Sequence, residues 1–133
     1  MGKFMGVDGV TLANGSTNLA VAGAVTIYTK AMRVTKAEYM SVTYQAVSAS
    51  GAPDVKIEMQ QASVMPTTEG SADANWVEGE NVADIEANLI TETVHNKAIN
   101  PPVLPFIRFK ITGNAGNPVD TVVTMKLNKQ EDF

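Results

Sequence analysis

The stretch that most constrains the fold is Leu104–Leu127, LPFIRFKITGNAGNPVDTVVTMKL. Ile107, Phe109 and Ile111 alternate with Arg108, Lys110 and Thr112, and Val123, Met125 and Leu127 alternate with Thr124, Lys126 and Asn128. Successive side chains on a strand point to opposite faces, so each run carries one apolar and one polar face. The joining GNAGNP is built from residues that tolerate turns, and its proline stops a strand from running through. The stretch therefore reads as an antiparallel hairpin. Three apolar side chains per strand, all facing one way, require a second layer to cover them.

Upstream segments can supply that layer. In Tyr39–Val47, Met40, Val42, Tyr44 and Ala46 alternate with Ser41, Thr43 and Gln45. In Val55–Ala62, Val55, Ile57 and Met59 alternate with Lys56, Glu58 and Gln60. With the Ser50–Asp54 turn between them, these two runs are expected to pair as a meander or hairpin. Asn18–Thr29 gives two short strands broken at Gly23, Lys30–Glu38 a loop or extended connection, and Leu89–Val94 another strand. Met65–Val77 reads as a long polar loop holding the single tryptophan, Trp76. About eight short strands, with turn signals between them and no long helical pattern, predict an antiparallel β-sandwich or jelly roll.

Residues 1–16 read as an extended N-terminal arm, with 17–133 as a single sandwich domain. Glycines at 2, 6, 9 and 15 interrupt Phe4, Met5, Val7, Val10 and Leu12 without clean periodicity. Ordering such a glycine-rich segment is costly unless something holds it. Those five apolar residues are therefore the candidate contact surface, either with a neighbouring chain or, as an edge strand, with the arm's own sandwich.

At 133 residues with a 44% apolar share, one domain with a real core is expected. The absence of cysteine excludes disulfides, thiolate catalysis and cysteine-ligated metals. A net charge of −4 disfavours bulk nucleic-acid binding. No Lys or Arg falls between Lys56 and Lys97, where eight acidic residues do; this reads as a solvated acidic region or a surface for a basic partner. No apolar run is long enough to span a bilayer, so a soluble product made in the cytoplasm is expected, without a membrane partner.

The residues offer little for catalysis. His95 is the only imidazole, and no nucleophile-elbow pattern accompanies it. Asp73-Ala74-Asn75 opens like a calcium loop but lacks its glycine and terminal glutamate. GNAGN lacks the Lys and Ser/Thr of a phosphate loop. No catalytic, metal or cofactor site is expected. Trp76 beside Asn75 and Asp73 suggests a possible sugar contact, though a tryptophan at a strand start more often packs on the sandwich.

With its glycine-rich arm, its many Thr/Val/Ala strands, SADANWVEGE and PFIRFKITGNAGNPVDTVVTMKL, the chain resembles the small β-sandwich structural proteins of tailed-bacteriophage virions, such as head decoration (cement) proteins. The resemblance implies a non-enzymatic virion subunit that self-associates and binds a major capsid or tail protein. The alternative from the residues themselves is a carbohydrate-binding module using Trp76.

Overall fold

A computed structural model describes residues 3–34, 37–65, 76–78, 85–99 and 104–132. These form strands and turns, with no helix. In chain order the strands are β1 (Lys3–Gly9), β2 (Leu19–Val21), β3 (Thr26–Tyr28), β4 (Met32–Arg33), β5 (Ala37–Val47), β6 (Val55–Ala62), β7 (Val77–Glu78), β8 (Glu86–Leu89), β9 (His95–Ile99), β10 (Phe106–Gly113) and β11 (Thr121–Asp132). The long loop expected over 65–77 falls mostly on residues outside the described set, as does most of Gly79–Ala87.

All pairings are antiparallel and make two sheets. The first runs β1–β11–β5–β9, with β2 following β1 along the same edge of β11. The second runs β3–β10–β6–β7; β4 follows β3 along β10, and β8 shares the outer edge of β6 with β7. The sheets pack face to face as a β-sandwich. Leu19, Val21, Met40, Val42, Tyr44, Val123, Met125 and Leu127 of the first sheet meet Val55, Ile57, Met59, Ile107, Phe109 and Ile111 of the second. The alternation in the sequence is thus the alternation of core and surface. Each aliphatic or aromatic side chain so buried contributes roughly 1.5–3 kcal/mol of transfer free energy.

Two expected pairings are corrected. β10 and β11 are not a hairpin, because β10 pairs with β6, β3 and β4, whereas β11 pairs with β1, β2 and β5. Likewise β5 and β6 lie in different sheets. Both links are arches that cross the core, so the apolar rows of each pair face one another instead of lying side by side. Residues 48–54 and 114–120 are long enough for the ~10 Å between packed sheets, whereas a hairpin favours a shorter turn.

The arches are tied together at one end by Asn117, which is 6% exposed. Its Nδ2 donates to the carbonyls of Val21 and Gly23, both at 2.9 Å. Its Oδ1 accepts from the Asp54 amide at 3.0 Å and from Thr121 Oγ1 at 2.9 Å. One side chain therefore joins the β2–β3, β5–β6 and β10–β11 links, with its hydrogen-bonding capacity filled. Gly113 is required at the same junction, since a Cβ there would overlap the Gly23 carbonyl oxygen. Gly23 itself turns the β2–β3 link at φ 78°.

Residues 3–9 form the edge strand β1, in register with β11 from Lys3↔Asp132 to Gly9↔Lys126. The arm's glycines are accommodated because an edge position asks for backbone bonds on one side only.

Candidate functional site

The two sheets present different outer faces. On the first, Ser41, Thr43 and Gln45 of β5 stand beside Thr124, Lys126 and Asn128 of β11 and Asn96 of β9. Asn128 Nδ2 donates to Ser41 Oγ at 3.1 Å and to Thr43 Oγ1 at 3.0 Å. Thr43 Oγ1 donates onward to Asn96 Oδ1 at 3.0 Å. These neutral groups hydrogen-bond across three strands and remain at least partly solvated. The 90–94 connection is pinned beside this face by Gln45 Nε2, which donates to the Glu92 carbonyl at 2.8 Å. A shallow hollow of about 120 Å³ lies there, lined by Thr43, Tyr44, Gln45, Val94, Thr124 and Lys126. Val94, which lines it, is 62% exposed, and Tyr39, farther along β5 on the same face, is 63% exposed.

On the second sheet the outward positions of β10 and β6 are largely covered. Arg108 is fully buried. Its guanidinium carbon lies 4.1 Å from the centre of the Tyr28 ring and 4.6 Å from that of Trp76, and its Nε donates to Gln60 Oε1 at 2.8 Å. Beside it Phe106, Ala62, Ala31 and Trp76 form a second, smaller apolar cluster, with Arg33 over the Phe106 ring at 5.2 Å. The alternation in the sequence puts Arg108 on the polar face of its strand. The overlooked signal is parity: Phe106 shares the face of Arg108, so that face was never uniformly polar. Trp76 is 6% exposed and has an Arg108 guanidinium against its ring. Its indole Nε1 has no hydrogen-bond partner among the described residues.

The arm residues divide. Val10 is 2% exposed and belongs to the core, Leu12 packs against that core, and Val7 is 61% exposed. Phe4 and Met5 take part in the β1 backbone ladder, but their side chains lie outside the described set.

The titratable groups are held in structural contacts. The His95 ring stacks on Tyr44 at 5.5 Å, and its Nε2 lies 3.1 Å from Thr91 Oγ1 and 3.2 Å from Thr93 Oγ1. Tyr44 Oη donates to Glu86 Oε2 at 2.9 Å, and Lys97 Nζ donates to the Ile85 carbonyl at 3.2 Å, which together link β5 and β9 to the β8 side of the other sheet. Burial, then the bond to Glu86 and its charge, push the Tyr44 phenol up to about 12. Asp120 accepts from Ser48 Oγ at 2.6 Å and Ser50 Oγ at 2.7 Å, which lowers its carboxyl pKa. Among the described residues no three His, Cys, Asp or Glu side chains come together as a metal site. What these residues can do is hold two sheets together and offer surfaces, one open and one already covered. No protein-family model matches this chain, and no curated protein matches it in sequence.

Proposed function

We propose that the chain is a non-enzymatic structural subunit of a virion, a capsid decoration or stabilising protein that works through protein–protein contact. The observation that carries this reading is the β1 edge, on which no strand pairs among the described residues, beside the open face of the first sheet, where Lys126 is the one charge among the described outward side chains of β5, β9 and β11. A repeating protein surface can dock against such a flat face and edge, with many weak contacts summing through multivalency.

The strand order supports the finer reading of the sandwich as a jelly roll. Counting β1/β2, β3/β4 and β7/β8 each as one row gives eight rows. The first sheet then runs first, eighth, third, sixth, and the second runs second, seventh, fourth, fifth. Jelly rolls occur in capsid proteins and in lectins, so fold alone does not separate the two readings. The glycan reading needs an accessible indole face, and the burial of Trp76 under Arg108 gives it no support.

Co-sedimentation with empty capsid shells of the virion whose genome encodes the chain tests the proposal. The expected result is saturable binding at a fixed number of copies per shell. A chain that stays in the supernatant at saturating shell concentration would overturn it, and retention on a glycan column abolished by Trp76→Ala would favour the sugar-binding alternative.

A further inference from the structure

We propose that β1 is self-complementary, so that two copies of this chain pair antiparallel along it with Gly6 on the two-fold axis. The inference rests on the assembly reading above and names one partner for it.

The argument begins with which backbone groups are free. The β1–β11 register, continued by one residue, sets Val10 opposite Met125, and the Val10 amide donates to the Met125 carbonyl at 3.0 Å. In an antiparallel ladder, residues that bond a given neighbour alternate with residues whose N–H and C=O point the other way. Phe4, Gly6 and Asp8 therefore spend their backbone groups on β11. Lys3, Met5, Val7 and Gly9 turn theirs to the outer side, where no strand pairs among the described residues.

Two such edges exchange hydrogen bonds only where an outward residue meets an outward residue. Full overlap of Lys3–Gly9 with a second copy meets that condition, setting Lys3 opposite Gly9, Met5 opposite Val7 and Gly6 opposite itself. The self-opposed position is a non-hydrogen-bonded pair, in which Cα atoms approach to about 4.5 Å, and it is a glycine.

Charge does not oppose the arrangement: in this register Asp8 falls opposite Phe4 of the other copy and not opposite a like charge, and it is answered within its own sheet by Lys129 at 2.9 Å. The approach is open: Val7 is 61% exposed, and a Cβ placed on Gly9 would meet nothing within 4 Å.

The other described edges are protected more fully than β1, whose one such device is Asp8 on the core-side face opposite Leu127. β9 is five residues long and directs Lys97 to the Ile85 carbonyl; the rows β3/β4 and β7/β8 are broken. β1 runs seven residues with neither a proline nor a shift of register. A strand of that length spans about 24 Å, which buries less than a standard interface. The pair is therefore weak in dilute solution and strengthens when copies are held side by side.

Hydrogen exchange followed over rising protein concentration, with light scattering in parallel, tests the pairing. The amides of Met5, Val7 and Gly9 should slow as the mass climbs toward twice that of one chain, while those of Gly6 and Asp8 are slow throughout. Val7→Pro removes only an outward N–H and should hold the chain monomeric with its unfolding curve unchanged. If that variant does not fold, Val7→Lys, which leaves the backbone intact, should weaken association at least tenfold. A wild-type chain that remains monomeric with concentration-independent exchange overturns the pairing, as does a folded Val7→Pro that associates like wild type. Shell binding by such a monomer would contradict the pairing alone, and pairing without shell binding would contradict the virion reading alone.

Discussion

Toward the core the two sheets are built from the same material, rows of Val, Ile, Leu, Met and Phe at every second position. Toward the outside they part. The first sheet carries Ser41, Thr43 and Asn128, joined by hydrogen bonds, with Gln45 and Thr124 beside them, all at least partly open to solvent. The second buries Arg108 completely between Tyr28 and Trp76, over a patch that includes Phe106 and Ala62. A sheet face covered by its own chain is committed to stability, whereas a face left open and mostly neutral remains available. A neutral hydrogen-bonded face can also meet another protein without the desolvation penalty of burying unpaired charge. The division of labour between the sheets is what gives the binding proposal its direction.

The largest effect that could break this comparison is at Arg108. Arg108→Ala leaves a void between two rings and removes the charge from both, so a loss of about 3 kcal/mol is expected in urea unfolding. A loss below about 0.5 kcal/mol would mean the second face is not sealed as described. Asn117→Ala should cost about 2–3 kcal/mol, because it strands acceptors and donors of three arches at once. That loss comes from the junction between the sheets and should leave the outer face of either one intact, so shell binding should survive at temperatures where the variant is folded.

Tyr44 gives a pH-dependent test of the same junction. Its folded pKa is raised, so the native state holds the proton more tightly than the unfolded chain does. The associated stability is complete below about pH 10 and declines as pH rises toward about 12. Tyr44→Phe should lose that alkaline slope and about 1 kcal/mol at neutral pH, read from unfolding curves across pH. The smallest effect is expected on the open face: Lys126→Ala should change stability by less than about 0.5 kcal/mol. A larger cost there would show that the first face, too, is committed to the fold.

Much of this architecture was legible in the sequence. The alternation in Tyr39–Val47, Val55–Ala62 and the two runs of Leu104–Leu127 identified the core residues one by one, because burial on one face leaves a period of two. It did not identify the neighbours. A strand's pattern records which face is inside but not which strand lies beside it, so arches at 48–54 and 114–120 were taken for hairpins. Asn117 passed as a loop residue, since nothing local marks a side chain whose partners are Val21, Gly23 and Asp54. The burial of Arg108 on the polar face was not legible, because its cover comes from Tyr28 and from Trp76, distant in sequence. Of the arm residues, Val10 was legible as apolar but not as core. The free edge of β1 followed only once its register with β11 was known.

Side-chain footprinting by hydroxyl radicals, with and without bound shells, tests the central claim most directly, because each face carries its own reporter. Tyr39, 63% exposed on the first sheet, should react strongly in the free chain and fall silent on binding, together with Val7 on the β1 edge. Trp76, 6% exposed on the second, should react weakly in both states. Strong labelling of Trp76 in the free chain, or protection confined to the second sheet on binding, would contradict the account.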